Sequence, residues 1–215
     1  MKIVDELYEL GAKWFGLSGG EPLVRKDIFE IIEHAKSLGM NVSLITNGYY
    51  VKGKILDKLA RNEVMTAVSL EGREKTNDLT RGKGSYQTAL KAMENLSKHG
   101  IFDCIVTTLS RNNCSEVDHI VEIGSKYDAT RVVYHNYIPV GRAQEHLDMA
   151  PTPQQYEAVF NRIYDMMQEY KGKLNINVYS PFFARIAKER DMPDFEHWFN
   201  NVFLGQCFIG GRYMG

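Results

Sequence analysis

The sequence predicts an α/β protein organised around a parallel sheet, and two patterns carry that expectation. Short β-branched or apolar runs alternate with helical patterns at intervals of roughly 25 to 40 residues, as successive βα units do. The first three runs also end in small or polar residues, as strands do when they deliver loops to one working edge of a sheet.

The elements follow in order. Met1 to Leu10 is an amphipathic helix pattern rather than a signal peptide. Trp14 to Ser18 is the first strand run. A helix opens at Asp27 with Glu30 as its capping-box partner, carries Ile28, Ile31, Ile32, Ala35 and Leu38 on one face, and stops at Gly39. Val42 to Thr46 and Met65 to Leu70 are the next runs. A helix after Ser85 buries Tyr86, Ala89, Leu90, Met93 and Leu96 and ends at Gly100. Cys104 to Leu109 precedes a helix that starts after Asn113 or Ser115 and turns Val117, Ile120 and Val121 inward, and Arg131 to Tyr137 closes the series. Ile138 to Pro151 reads as a loop. Thr152-Pro153-Gln154-Gln155 then opens a long helix, with proline at its first position and Gln155 reciprocating the cap. Beyond Lys171 come a short strand at Leu174 to Val178 and two short helices, with a boundary near Asn200.

Composition removes several function classes. The 215 residues carry 26 Lys+Arg against 27 Asp+Glu, a net charge of −1, which leaves no footprint for nucleic acid or an anionic membrane surface. No apolar stretch approaches the roughly 18 residues of a membrane span. Hydrophobic residues make up 44%, enough for the core of one domain. Three cysteines, at 104, 114 and 207, are neither a disulfide framework nor a locally spaced metal site, and cannot hold a four-cysteine cluster alone. The expected compartment is the reducing cytoplasm.

Chemistry is expected at the strand ends: Ser18-Gly19-Gly20-Glu21-Pro22, Thr46-Asn47-Gly48, and Ser69-Leu70-Glu71-Gly72. Adjacent glycines admit a ligand to backbone contact, and a carboxylate fixed by Pro22 suits an ammonium group. Ser69 and Glu71 offer a hydroxyl and a carboxylate to a ribose diol. Each feature has a plainer reading as turn chemistry, Asn-Gly above all.

In order and spacing, these motifs with Arg81-Gly82-Lys83-Gly84-Ser85-Tyr86 resemble the radical S-adenosylmethionine (SAM) enzymes. Tyr137-Ile138-Pro139-Val140-Gly141-Arg142-Ala143 is similar to the end of that family's sixth strand. The resemblance implies a partial (β/α)6, TIM-like barrel with a parallel sheet whose first strand is missing here. It implies that SAM is reductively cleaved to a 5′-deoxyadenosyl radical with an electron from a [4Fe–4S] cluster. The Gly19-Gly20-Glu21-Pro22 edge would hold the methionyl amino group, Ser69 and Arg81 its carboxylate, and Glu71 the ribose, at a position where the family usually carries aspartate. Thr46, Asn47, Tyr137 and Ile138 would complete the SAM site, while Arg81 has the alternative of a surface cation.

The family's C-x-x-x-C-x-x-C loop has no counterpart among these cysteines, so the cluster ligands are expected before Met1 and the isolated chain is expected to be inactive. Residues 1–199 would be the barrel core with a helical linker. Residues 200–215 resemble the start of a SPASM-type extension, with Cys207 the first ligand of an auxiliary iron–sulfur cluster. The implied partners are a peptide, protein or tetrapyrrole substrate and an electron donor. Two other readings stay open. A cluster-free SAM-binding or protein-binding scaffold would share the motifs. A conventional TIM-type isomerase or aldolase would need a lysine or acid–base pair at the strand ends. His135 could touch substrate from the barrel interior or serve as a core or rim residue.

Overall fold

A computed structural model describes residues 1–193, 195–197 and 199. The proposed boundary near Asn200, the segment 200–215 and Cys207 lie outside them. Six strands pair in sequential order, all parallel: β1 (Trp14–Leu17), β2 (Asn41–Thr46), β3 (Met65–Ser69), β4 (Phe102–Leu109), β5 (Arg131–Asn136) and β6 (Asn175–Tyr179). Right-handed crossovers between sequential parallel strands place every connecting helix on one face, so the sheet curls into a part barrel.

The helices of that face are α1 (Lys2–Glu9), α2 (Ile28–Ser37), α3 (Gly53–Arg61), α4 (Glu74–Arg81), α5 (Ser85–Lys98), α6 (Val117–Lys126), α7 (Pro153–Glu169) and α8 (Pro181–Glu189). One continuous core lies between them and the sheet, including Leu44, Val68, Ile105 and Val132 from strands and Ile32, Leu59, Met93, Ile120 and Phe160 from helices. The other face, the lumen, carries a small separate cluster of Ala67, Cys104 and Val133, with Ile45, Val106 and Tyr179 against it. A register shift between β3 and β4 inserts one extra β4 residue, Asp103, which ion-pairs with Arg131 at 2.7 Å. Such a bulge adds local twist and bend.

Helix ends follow the expected chemistry in part. At α7 the Gln155 N–H donates to Thr152 Oγ1 at 3.2 Å and the Thr152 N–H to Gln155 Oε1 at 2.9 Å, the reciprocal cap read from the sequence. At α2 no such box forms. The Asp27 carboxylate is taken by Arg25 through bonds of 2.6 and 2.8 Å, because a bidentate guanidinium outcompetes a neutral backbone donor. α2 ends as expected into Gly39, whose φ is +81°. α6 begins one to three residues later than the sequence suggested, at Val117, since Asn113 is used to fasten the preceding turn: the Ser110 N–H donates to its Oδ1 at 2.7 Å and its Nδ2 donates to Thr108 O at 2.8 Å. α3 and α4 are helices that the sequence reading left unnamed. α4 has no apolar stripe, and Asn77 is its one buried residue.

Candidate functional site

The carboxyl ends of β1 and β2 are joined into one unit by Glu21. Its Oε1 accepts from the Leu23 N–H at 3.2 Å and from the Thr46 hydroxyl at 2.8 Å, and its Oε2 accepts from the Asn47 N–H at 2.8 Å. Thr46 Oγ1 in turn accepts from the Gly48 N–H at 3.1 Å, and Asn47 Oδ1 from the Tyr49 N–H at 2.9 Å. Pro22 is buried and starts a 3-10 turn through Val24. The first two motifs are therefore one hydrogen-bonded rim, with the carboxylate acting as its clamp. About four acceptor positions exist on a carboxylate and three are used, so at most one is left for an ammonium group.

Beside this clamp, no hydrogen bond between described residues engages the backbone of Gly19 or Gly20. A Cβ built on either would meet nothing within 4 Å. This is an open backbone edge with room for a ligand.

The end of β3 forms a second unit. Ser69 is buried, and no described residue hydrogen-bonds its hydroxyl. Glu71 is 4% exposed; its Oε1 takes both Arg81 Nε at 3.0 Å and Nη2 at 2.5 Å, while its Oε2 accepts from the Thr108 N–H at 2.8 Å. Arg81 is thus an ion-pair partner of Glu71 rather than a free surface cation, its side chain 30% exposed.

Two residues that the sequence reading passed over support this unit. Asn77, fully buried, accepts from the Glu71 N–H at 2.9 Å and donates to Ser85 Oγ at 2.8 Å. Asp78 caps α5 by accepting from the N–H groups of Gly84 at 2.6 Å and Tyr86 at 2.9 Å. The only sequence signal for either was a polar pair inside a polar stretch.

Further round the rim, the Thr107 hydroxyl donates to Leu70 O at 2.7 Å. Arg111 and Asn112 meet Met149 through the Arg111 N–H and Asn112 Nδ2. At the end of β5 the Tyr137 hydroxyl reaches the carbonyls of Ala143 at 3.1 Å and His146 at 3.0 Å, which pins the following loop, and Ile138 is exposed. His135 packs edge-on to Tyr179 across the β5–β6 pair, ring centroids 5.0 Å apart, and burial pushes its pKa down, which keeps the ring neutral.

Two cysteines can be placed. Burial pushes the Cys104 thiol up to about 12 and that of Cys114 up to about 11. Neither is a thiolate at neutral pH, and among the described residues no group of three or more His, Cys, Asp or Glu could hold a metal ion. The described residues therefore do not fit a [4Fe–4S] cluster, whereas the open glycine edge and polar rim fit a ligand with amino, carboxylate and hydroxyl groups. Iodoacetamide at pH 8 is expected to leave Cys104 unmodified in the native protein and to label it after denaturation, as read by peptide mass spectrometry; native labelling would contradict its burial. Also among the described residues, no helix is long and apolar enough to cross a membrane.

The comparisons agree with this geometry. The model of the radical SAM superfamily matches residues 1–122. The chain is 33% identical over 192 residues to an AdoMet-dependent heme synthase of Methanosarcina barkeri, covering 87% of this chain and 54% of that protein. It is 32% identical over 163 residues to the mycofactocin maturase MftC of Mycolicibacterium smegmatis, covering 74% and 41%. The chain thus spans about half the length of the curated relatives it matches. Its fold is similar to Streptococcus suis SuiB bound to S-adenosylmethionine, with a TM-score of 0.75 at 16% identity over 92% of this chain and 47% of that one. It is also similar to anSMEcpe with bound AdoMet, with a TM-score of 0.63 at 19% identity over 76% and 49%. The part barrel, the order of its strand-end motifs and these matches together make the chain a member of the radical SAM superfamily.

Proposed function

We propose that this chain is the SAM-binding core of a radical SAM enzyme. The observation that carries the reading is the unengaged Gly19–Gly20 backbone beside the Glu21 clamp, on the same rim as the unbonded Ser69 hydroxyl. In this reading the glycine edge receives the methionyl amino group and Ser69 and Arg81 receive the carboxylate. Glu21 and Pro22 hold the edge in place, and Tyr137 with Ile138 borders the far side. Given one electron from the reduced cluster, bound SAM would be cleaved to methionine and a hydrogen-abstracting 5′-deoxyadenosyl radical, and the chain's residues would position and shield it.

The thiolates for the [4Fe–4S] cluster would come from sequence beyond these 215 residues, and Cys207 would open an auxiliary cluster. The substrate would be a tetrapyrrole or a peptide: one relative is named a heme synthase and another a maturase, and the structural neighbour SuiB is described bound to a precursor peptide. Reducing equivalents would come from an electron donor.

Gly20→Ala tests the glycine edge directly. The added methyl meets no protein atom within 4 Å, so unfolding stability should stay within about 0.5 kcal/mol of the parent. Equilibrium dialysis should show SAM bound about tenfold more weakly, a loss of about 1.4 kcal/mol. Unchanged affinity would remove the edge from the site. The whole protein, reconstituted anaerobically with iron and sulfide, should be brown and should convert SAM to methionine and 5′-deoxyadenosine under reductant. A colourless protein that still binds SAM would instead be a scaffold.

A further inference from the structure

The Glu71–Arg81–Thr108 arrangement carries a role for Glu71 different from the one its place in the motif implies. A carboxylate that grips a ribose diol with both oxygens needs an open acceptor position on each. Here Oε1 is filled by two Arg81 donors and Oε2 already holds the Thr108 N–H, which leaves about one acceptor position of four. Glu71 is also 4% exposed, so losing either donor would leave a buried polar oxygen unpaired.

The extra methylene of glutamate has a structural use. The β3–β4 ladder ends at Ser69↔Val106 and is extended by the Leu70 N–H to Val106 O at 3.1 Å. At the next position Glu71 Oε2 stands in for a backbone carbonyl and takes the Thr108 N–H, while Oε1 reaches the end of α4. Aspartate, one methylene shorter, could not span β4 and α4 at once. Asn77 holds the Glu71 backbone from the same helix, which fixes the origin of that reach.

Arg81 is the beneficiary. Two of the five guanidinium donors are committed to Glu71, and three remain on a group that is 30% exposed. Locking one edge of a planar guanidinium aims the other, and it removes the rotamer entropy that ligand binding would otherwise have to overcome.

We propose that Glu71 is a positioning residue that orients Arg81, through a carboxylate shared with the Thr108 N–H, to receive an anionic carboxylate on the rim, and that it is not itself the ribose ligand. This rests on the reading of Arg81 as the partner of the SAM carboxylate. The effect of Glu71 on binding must then depend on that carboxylate being present.

The test measures equilibrium binding of SAM and of decarboxylated SAM, which keeps the ribose, to the parent, Glu71→Gln and Arg81→Lys proteins. Glu71→Gln should weaken SAM about tenfold and change decarboxylated SAM by less than about twofold. A double substitution should lose little more than Arg81→Lys alone, since the two residues act as one unit. Equal weakening of both ligands would make Glu71 a ribose or fold residue and overturn the proposal. Loss in Arg81→Lys with none in Glu71→Gln would overturn the positioning role alone, whereas SAM affinity unchanged in Arg81→Lys would overturn the carboxylate reading and the inference with it. If Glu71→Gln does not fold, Glu71→Asp carries the same prediction, because it keeps the charge and loses the span.

Discussion

Glu21→Ala is expected to lower unfolding stability by about 2–4 kcal/mol and SAM affinity by about a hundredfold, the largest binding loss of any single rim substitution. Three donors lose their acceptor together: the Leu23 N–H, the Thr46 hydroxyl and the Asn47 N–H. The damage propagates, because Thr46 Oγ1 also accepts from the Gly48 N–H and its proton is committed to Glu21. Without the carboxylate, Thr46 and Asn47 have no reason to hold β2's end against β1's end, and the Gly19–Gly20 edge loses its backing. Glu21→Gln should recover only part of this loss. An amide accepts through its one oxygen, so either the Oε1 donors or the Asn47 N–H must face an NH2 group. Denaturant titration and SAM dialysis on both variants check the ranking. Alanine behaving no worse than glutamine in both measurements would mean the clamp does not hold the rim.

Gly48→Ala is expected to cost about 2–4 kcal/mol of stability. Two costs add. Gly48 has φ +86°, where a Cβ strains the backbone, and that Cβ would lie 2.8 Å from Ala92 Cβ and 3.5 Å from Ala89 Cα. Ala92 and Ala89 are buried on α5 at 1% exposure each, so neither can move without shifting the helix. The same substitution at Gly20 meets open space, and the pair separates two uses of glycine on one rim: close packing at 48, ligand room at 20. Equal denaturation midpoints for Gly48→Ala and the parent would show that the loop relaxes freely, contrary to the packing against α5.

Much of the fold was legible because its signals are local. The β-branched runs matched all six strands within one or two residues, and Thr152 with Gln155 capped α7 as read. Asp27 misled because a nearer competitor, Arg25, took its carboxylate. α3 and α4 were illegible for different reasons. α3 opens on Gly53 with no side-chain cap, and α4 buries Asn77 where an amphipathic helix would bury an apolar residue. α4 is held by side-chain bonds to other elements, such as the Thr76 hydroxyl to Glu116 at 2.8 Å, which leave no periodic trace.

By itself the sequence determined the period of alternation, the order of the strand-end motifs and the absence of a local cluster site, since each depends on neighbours within one element. Tertiary structure decided which polar groups on the rim are committed and which are free. Glu21 and Glu71 are both carboxylates after strands, read in the sequence for an ammonium group and a ribose diol. The parallel register brings Asn47 and Thr46 to the first and Thr108 to the second, and the docking of α4 brings Arg81. A buried carboxylate takes whichever donors the fold places within reach, and those lie 10 to 37 residues away along the chain.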